Sequence, residues 1–189
     1  WVDAMEGAAA AGLPLTSTMM YGHVENEMHR AKHLQVIRDL QDRTGAINEF
    51  VPLSFIHQNT PLYEAGVVDS GASRAEDELL VAVARLFLDN IEHIQSSWVK
   101  SGDEHGLKLL NCGADDFMGT ILSEEITKRA GGQYGEFRSV ADYVEMVSAI
   151  GRPLAERSTD YEQTRRVAMD GGPYGPTLGP KADGTPLLD

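Results

Sequence analysis

Short apolar runs alternate with longer stretches of helical periodicity along the chain, a pattern typical of repeated strand–helix units. The apolar runs predict four strands, at Thr16–Tyr21, Glu49–Ile56, Ile91–Trp98 and within Asn111–Phe117. The periodic stretches predict five helices, at Val2–Ala11, Asn26–Thr44, Ser73–Asn90, Asp103–Leu110 and Ser123–Ala130. Four such units in succession predict a parallel sheet with right-handed crossovers.

Local signals support several of these boundaries. The second helix carries an apolar row of Leu34, Ile37 and Leu40 and stops at Gly45. Ser73 with Glu76 three residues later forms a capping box for the next helix.

The size of the chain suits part of a larger barrel. A complete (β/α) barrel of eight units takes about 250 residues, whereas this chain has 189. We therefore expect an α/β fold in which residues 1–166 form half of a TIM-type barrel; the family resemblance given below implies that it is the C-terminal half. Gly-Pro steps in residues 167–189 predict an irregular tail. Because Trp1 opens directly into a helix, we also expect the natural chain to extend upstream.

The net charge of −13 argues against a nucleic-acid or anionic-membrane surface, since both need basic patches. Lysine is scarce beside the 29 acidic residues, so the surface repels itself at low ionic strength and screening salt relieves it. We hypothesise a high-salt cytoplasm as the native medium. The single Cys112 excludes an internal disulfide, which fits a reducing compartment, and no apolar run is long enough to span a membrane.

In α/β barrels the chemistry lies where strands end, and polar residues follow all four predicted strands. The four segments cover residues 21–25, 57–61, 95–98 and 112–116.

Several motifs in these segments resemble one enzyme family. Radical S-adenosylmethionine (SAM) barrels carry Gly-x-Ile-x-Gly-x-x-Glu on their fifth strand, and Thr18-x-Met20-x-Gly22-x-x-Glu25 matches it with two substitutions. The sequences of four further segments are similar to those of the FO synthase subunit 2 (CofH) family: residues 49–57, 59–63, 111–120 and 157–161. The resemblance runs from Thr16 to Arg166.

The resemblance implies a defined reaction. CofH enzymes use a reduced [4Fe-4S] cluster to split SAM, and the resulting radical abstracts hydrogen from L-tyrosine. The 4-hydroxybenzyl fragment then joins 5-amino-6-(D-ribitylamino)uracil on the way to the FO deazaflavin chromophore. FO synthase subunit 1 (CofG) is the functional partner that the resemblance implies.

The resemblance also assigns residues. Met20, Gly22 and Glu25 fall on the SAM motif, while Pro52 and Ser54 fall on the sixth strand, where backbone groups meet adenine in related barrels. Core packing is the competing explanation for Met20, and capping of backbone N–H groups is the one for Glu25.

The other candidates come from their positions at strand ends. The catalytic candidates are His23 and His57, as proton carriers, and Asp115, as an anchor for a substrate amine or ribityl group. The substrate-binding candidates are Gln95 and Ser97, which alternate and so share a face, and Asp116. Trp98 would add a stacking surface. We expect only one of the two adjacent aspartates to face the cavity.

One feature departs from the family pattern. The cluster is bound there by Cys-x-x-x-Cys-x-x-Cys, and the single Cys112 lies near the last strand. We therefore predict that this chain holds no metal and is inactive by itself.

Alternatives remain open on sequence grounds. The related aminofutalosine and cyclic dehypoxanthine futalosine synthases share the fold and cofactor. A metal-dependent hydrolase using His29 and His33, which stand four apart on one helix, is a different class, as is a non-catalytic half barrel.

Overall fold

The computed structural model describes residues 1–135 and 137–167. The chain divides into two compact units, with the boundary at Glu136 and Phe137. That boundary falls well before the end of the predicted barrel half, residue 166. Most of the predicted tail, from residue 168, lies outside the described residues, so the predicted division of the chain stays a prediction.

The first unit contains three strands and seven helices among its described residues, in the order α1, β1, α2, β2, α3, α4, β3, α5, α6, α7. The strands are β1 (Leu15–Tyr21), β2 (Ile47–Ser54) and β3 (His93–Ile94). The helices are α1 (Val2–Ala10), α2 (Glu27–Thr44), α3 (Pro61–Glu64), α4 (Arg74–Phe87), α5 (Trp98–Ser101), α6 (Asp103–Cys112) and α7 (Glu125–Arg129).

The three strands form one sheet of order β1-β2-β3, and both pairings are parallel. The register places Met20 beside Leu53 and Tyr21 beside Ser54, so the strands end at the same edge. An isolated parallel bridge between Gln95 and Asp116 adds the segment around Asp116 to the sheet, on the far side of β3 from β2. The prediction of an α/β fold with a parallel sheet is therefore confirmed.

The caps explain the boundaries of the long helices. Asn26 caps α2, and Gly45 ends it in the left-handed conformation at φ 62°. Ser73 and Glu76 form the predicted capping box of α4, with each side chain accepting from the other residue's backbone N–H. The predicted apolar row of α2 is buried.

Two of the four predicted strands are wrong in extent. The third was expected over Ile91–Trp98, but β3 ends at Ile94 and α5 already begins at Trp98. The fourth was expected within Asn111–Phe117, but α6 continues to Cys112 and only Asp116 forms a bridge. Helices take one end of each predicted segment, Trp98 in α5 and Asn111 and Cys112 in α6.

The helix predicted from Ser123 to Ala130 is shorter in the structure. It covers Glu125–Arg129, and the Glu124 side chain, rather than Ser123, accepts from Thr127 N. Helix α3, capped by Thr60, was not predicted.

The second unit contains α8 (Val140–Ala149) and the strands β4 (Ala155–Arg157) and β5 (Thr164–Arg166) in its described part. The two strands pair in antiparallel fashion. This hairpin was not predicted, because its strands have three residues each and carry polar side chains.

The core of the first unit lies between the sheet and its helices. Phe50, Ile94 and Trp98 are fully buried there, together with Ile37 and Leu40 of α2. Within the described residues, no helix is long and apolar enough to cross a membrane.

Candidate functional site

The two faces of the sheet differ in burial. On β1, Ser17, Met19 and Tyr21 are buried, whereas Thr18 and Met20 between them are exposed. Just beyond β3, the Ser96 hydroxyl donates to Gly106 O of α6, so this face is the one covered by helices. The opposite face carries Thr16, Thr18 and Met20 of β1, then Glu49, Val51 and Leu53 of β2, with Gln95 beyond them. It is exposed along β1, whereas Val51 and Gln95 are buried. We call this the open face.

Gly22 turns the chain at the end of β1 with φ +85°. A Cβ there would lie 2.5 Å from Ala72 N, in the segment that leads into α4. The close approach that requires glycine at this position is thus made by Ala72. The sequence had suggested a ligand instead.

Glu25 holds this turn. Its carboxylate accepts from Gly22 N at 2.5 Å and from His23 N at 2.9 Å, and Arg30 Nε donates to it at 2.8 Å. Burial alone would raise the pKa of Glu25, but these hydrogen bonds outweigh it and lower the pKa to about 2. Glu25 therefore caps backbone N–H groups, as one of its two interpretations predicted, but the groups belong to the turn and precede α2.

Arg30 connects the turn to the start of α4. Its Nη1 donates to Glu76 Oε1 at 3.2 Å, and its guanidinium lies 5.5 Å from the centre of the Tyr21 ring. Burial lowers the pKa of Arg30, and the two carboxylates more than offset this, so its pKa is raised. Sequence reasoning missed Arg30; its spacing of five residues from Glu25 was the available signal.

The two histidine candidates both follow strands. His23 lies 5.7 Å from the Phe55 ring, and its Nδ1 accepts from Val24 N. His57 lies 5.0 Å from the Tyr63 ring. Both lie at the carboxyl edge of the sheet, so the structure is compatible with the predicted positions, and their catalytic roles stay predictions.

The two candidates on β2 lie on the covered face. Pro52 pairs with Met19 and is buried. Ser54 pairs with Tyr21, and its hydroxyl hydrogen bonds with the Tyr21 phenol. Their side chains therefore point away from Met20, and only their backbone groups remain available for the predicted contact with adenine.

A buried polar chain behind this edge was not predicted. Tyr21 Oη donates to Asp77 Oδ1 at 2.7 Å, and Asp77 Oδ2 lies 3.0 Å from His105 Nε2. All three residues are at most 6% exposed. Burial raises the pKa of Asp77, opposed by the hydrogen bonds from Tyr21 and His105. Burial and the neighbouring Asp77 raise the pKa of Tyr21 well above its usual range. The three residues are far apart in sequence, which left no local signal.

Gln95 lies on the open face and is 6% exposed. Its Nε2 donates to Glu49 Oε2 at 3.1 Å, and Thr16 Oγ1 donates to Glu49 Oε1 at 2.8 Å. The Ser97 hydroxyl contacts the sulfur of Met118 at 3.7 Å. Because β3 ends at Ile94 and Ser97 precedes α5, the shared face of Gln95 and Ser97 stays a prediction. Trp98 does not offer a stacking surface, because it is fully buried at the start of α5.

Asp115 does not lie at a strand end. It accepts from Ile94 N at 2.8 Å and from Arg85 Nη2 at 2.5 Å, and its other oxygen lies 2.7 Å from His93 Nδ1. Asp115 thus lies one residue before the bridge at Asp116, beside Arg85 of α4. The expectation that Asp115 follows a strand is wrong.

Asp116 pairs with Gln95 at the bridge, and its Oδ1 accepts from Met118 N at 2.7 Å. The two adjacent aspartates thus face opposite sides, as predicted, and Asp116 is the one next to the open face.

The histidine pair of α2 does not form a metal site. His29 Nδ1 accepts from Asn26 N at the helix cap, and His33 packs edge-on against Trp1. Among the described residues, no group of three or more His, Cys, Asp or Glu side chains could hold a metal ion.

The structure places Met20 and Gln95 on the open face, with Asp116 bridged to Gln95, while Gly22 and His23 follow Met20 at the end of β1. It separates them from the side chains of Pro52, Ser54 and Asp115.

Comparison with known proteins shows which family the chain belongs to. The family model for the CofH/MqnC C-terminal region matches residues 44–167. A 5-amino-6-(D-ribitylamino)uracil–L-tyrosine 4-hydroxyphenyl transferase of Haloarcula marismortui is 71% identical over 189 residues, all of this chain and 42% of the relative. The transferase of the same name from Halobacterium salinarum is 73% identical over 188 residues, again covering 42% of the relative.

A longer relative also matches. The FO synthase of Mycobacterium leprae is 46% identical over 162 residues, which are 85% of this chain and 19% of that protein. The chain thus spans less than half the length of each of these three curated relatives. The match to the family model, over more than half of the chain, establishes that it belongs to the CofH/MqnC family and corresponds to its C-terminal region.

Proposed function

We propose that this chain is the C-terminal part of a radical SAM barrel that transfers the 4-hydroxybenzyl group of L-tyrosine to 5-amino-6-(D-ribitylamino)uracil. The observation that carries the proposal is the open face of the parallel sheet, where Met20 is 50% exposed near the carboxyl edge. Parallel sheets normally have both faces covered. The matched relatives have more than half of their length outside the matched region, which is enough to supply the missing cover.

The residues at this edge fit one wall of a SAM pocket. Met20 pairs with the half-buried Leu53, and together they offer an apolar surface suited to the flat adenine ring. Glu25 fixes the turn that follows Met20, so the backbone there is rigid. Bound to a reduced cluster, SAM would supply the radical chemistry; the residues of this chain would orient the substrates and exclude water.

The chain does not supply the cluster ligands. Cys112, its single cysteine, ends helix α6, and burial raises the pKa of its thiol, which disfavours the thiolate that iron binds. In this proposal the [4Fe-4S] cluster is held by residues outside this chain, and the chain by itself is inactive.

The substrates follow from the names of the relatives, which are transferases acting on 5-amino-6-(D-ribitylamino)uracil and L-tyrosine. The FO synthase relative supports functional cooperation with a second activity, that of subunit 1, because the matched region makes up only 19% of that protein.

Turnover by the complete enzyme tests the proposal. The enzyme containing this chain is purified anaerobically and given SAM, a reductant, L-tyrosine and 5-amino-6-(D-ribitylamino)uracil. We expect the hydroxybenzyl adduct to form only when all four are present. Turnover of futalosine precursors in place of these substrates would instead identify a menaquinone-pathway enzyme of the same family.

A pair of variants tests the SAM wall. Met20→Asp places a charge against the adenine site and should raise the KM for SAM at least tenfold. Met28→Asp is the matched control, because Met28 is 61% exposed on helix α2. Equal KM values for SAM in the two variants would show that Met20 does not line the SAM pocket.

A further inference from the structure

Glu49 is the central residue of a polar row that crosses all three strands on the open face. Its two carboxylate oxygens accept from different strands, Oε1 from Thr16 on β1 and Oε2 from Gln95 beyond β3. Thr16 and Glu49 are also paired in register. The carboxylate is therefore held from both sides and has little freedom to rotate.

This arrangement fixes the orientation of the Gln95 amide. A carboxylate can only accept hydrogen bonds, whereas a glutamine amide carries a donor NH₂ and an acceptor oxygen. Facing Glu49, Gln95 must present its nitrogen, and its Oε1 is left for other contacts. Toward the open face, Gln95 is therefore an acceptor.

The Gln95 oxygen lacks a donor in the described part of the chain: within residues 1–135 and 137–167, none reaches it. Gln95 is 6% exposed as a residue, but its oxygen is not among the described buried polar atoms that lack a hydrogen-bond partner, so the oxygen is not sealed inside the protein. The neighbouring Ser96 points to α6, so Gln95 points to the open face. A ligand that donates to the Gln95 oxygen would therefore approach it from that side.

We propose that Glu49 is a positioning residue that holds the Gln95 amide so that its oxygen accepts a hydrogen bond from an N–H group of a substrate. This rests on the proposed function, in which both substrates carry such groups: the amines and ring N–H of the ribitylaminouracil, and the ammonium of tyrosine. Gln95 follows Ile94 in the pairing with β2, whereas Met20 lies at the end of β1 beside Leu53. The Gln95 oxygen thus lies farther from the carboxyl edge of the sheet than the proposed SAM wall does.

Exchanging the two side chains tests the proposal in the complete enzyme. In Glu49→Gln the amide at position 95 is free to flip, and in Gln95→Glu two carboxylates face each other. Each single variant should raise the KM for one of the two substrates about tenfold, the equivalent of one hydrogen bond. The KM for SAM should stay within twofold.

The double variant Glu49→Gln, Gln95→Glu remakes the hydrogen bond with the donor and acceptor exchanged, and leaves a carboxylate oxygen toward the open face. Its KM should return to within threefold of the parent enzyme. Thr16→Val removes the other donor to Glu49 but keeps the pair with Gln95, so its effect should be smaller than that of Glu49→Gln. Glu27→Gln, an exposed residue in the first turn of α2, controls for the loss of charge.

The outcomes separate this proposal from the proposed function. Whichever substrate shows the raised KM is the one that donates to Gln95. A parent-like KM in Glu49→Gln, or a double variant no better than the single ones, overturns the positioning role while turnover by the parent enzyme still supports the function. A rise in the KM for SAM of the same size would show a general structural effect and would also overturn it. A parent enzyme that does not turn over these substrates overturns the function itself, and with it the assignment of Gln95.

Discussion

Glu25 Oε1 and Arg30 Nε are 2.8 Å apart, and this ion pair holds the turn at the end of β1 against the start of helix α2. The side chains are 11% and 15% exposed, so solvent screens the pair only weakly. Arg30 also reaches Glu76 in the capping box of α4. A single guanidinium thus fixes the relative position of one strand end and two helices.

Loss of Arg30 should therefore destabilise the fold. Arg30→Ala leaves Glu25 without its cation in a largely buried position, and we expect a loss of about 2 kcal/mol in the free energy of unfolding. Arg43→Ala is the matched control, because its pair with Glu6 is half exposed and such pairs contribute about 0–1 kcal/mol. Denaturant unfolding of the complete protein measures both, and equal losses would contradict the account.

The stability of the protein should depend on Glu25 in acid. Its pKa in the folded state, about 2, is below its ordinary value of 4.5. The stabilisation that the ionised Glu25 carboxylate contributes is thus complete above about pH 4.5 and is lost as the pH falls toward 2. We expect the difference in unfolding free energy between the parent and Glu25→Gln to shrink over this window. Glu27→Gln should show no such change, and a difference that stays constant from pH 5 to 2 would rule out Glu25 as the source of the acid sensitivity.

Gly22→Ala should destabilise the protein by about 3 kcal/mol or more, since the new methyl group meets Ala72 in addition to the strain of a positive φ. Gly12→Ala provides the comparison. Gly12 has a similar φ of +77°, but no atom lies within 4 Å of the added Cβ. Gly12→Ala should therefore lower the free energy of unfolding only by the cost of a positive φ in alanine, about 1–2 kcal/mol. Melting temperatures of the two variants give the comparison directly.

Tyr21→Phe removes the donor to the buried Asp77 Oδ1 and should cost about 1–3 kcal/mol. Tyr63→Phe removes the same hydroxyl from a side chain that is 43% exposed, and should change stability by less than about 0.5 kcal/mol. Chemical denaturation of the two variants measures both changes in the free energy of unfolding. If the two variants proved equally stable, the hydrogen bond between Tyr21 and Asp77 would have no net stabilising effect.

The acidic surface predicts a response to salt. With a net charge of −13 the folded chain repels itself, and screening by about 1–2 M KCl should raise its melting temperature. A melting temperature that stays level or falls as KCl is added would dispose of the high-salt hypothesis.

The sequence allowed prediction where the decisive contact is local. The caps of α2 and α4 follow from Asn26, Gly45, Ser73 and Glu76, all within a few positions of the backbone groups they satisfy. Prediction failed where the partner is distant. Helix α6 runs two residues past its predicted end, into the region expected as a fourth strand, and there only Asp116 forms a bridge, to the distant Gln95.

The same distinction applies to the candidate site. The motif ending in Glu25 was visible in the sequence, whereas the role of Gln95 depends on Glu49, which is 46 positions away. Asp115 looked like a strand-end carboxylate, but Arg85 and His93 bind it from elements that no local pattern connects to it. The side that Ser54 faces depended on the strand register, which places it beside Tyr21.

The contact between Gly22 and Ala72 has an evolutionary consequence. The backbone of Ala72 fills the space where a side chain at position 22 would stand, and its own methyl group lies against the glycine. A bulkier residue at either position forces the segment before α4 away from the strand end. Because the nearest atom is the backbone nitrogen of Ala72, no substitution at position 72 can make room for a side chain at position 22, so glycine should be retained there across the lineages that share this turn.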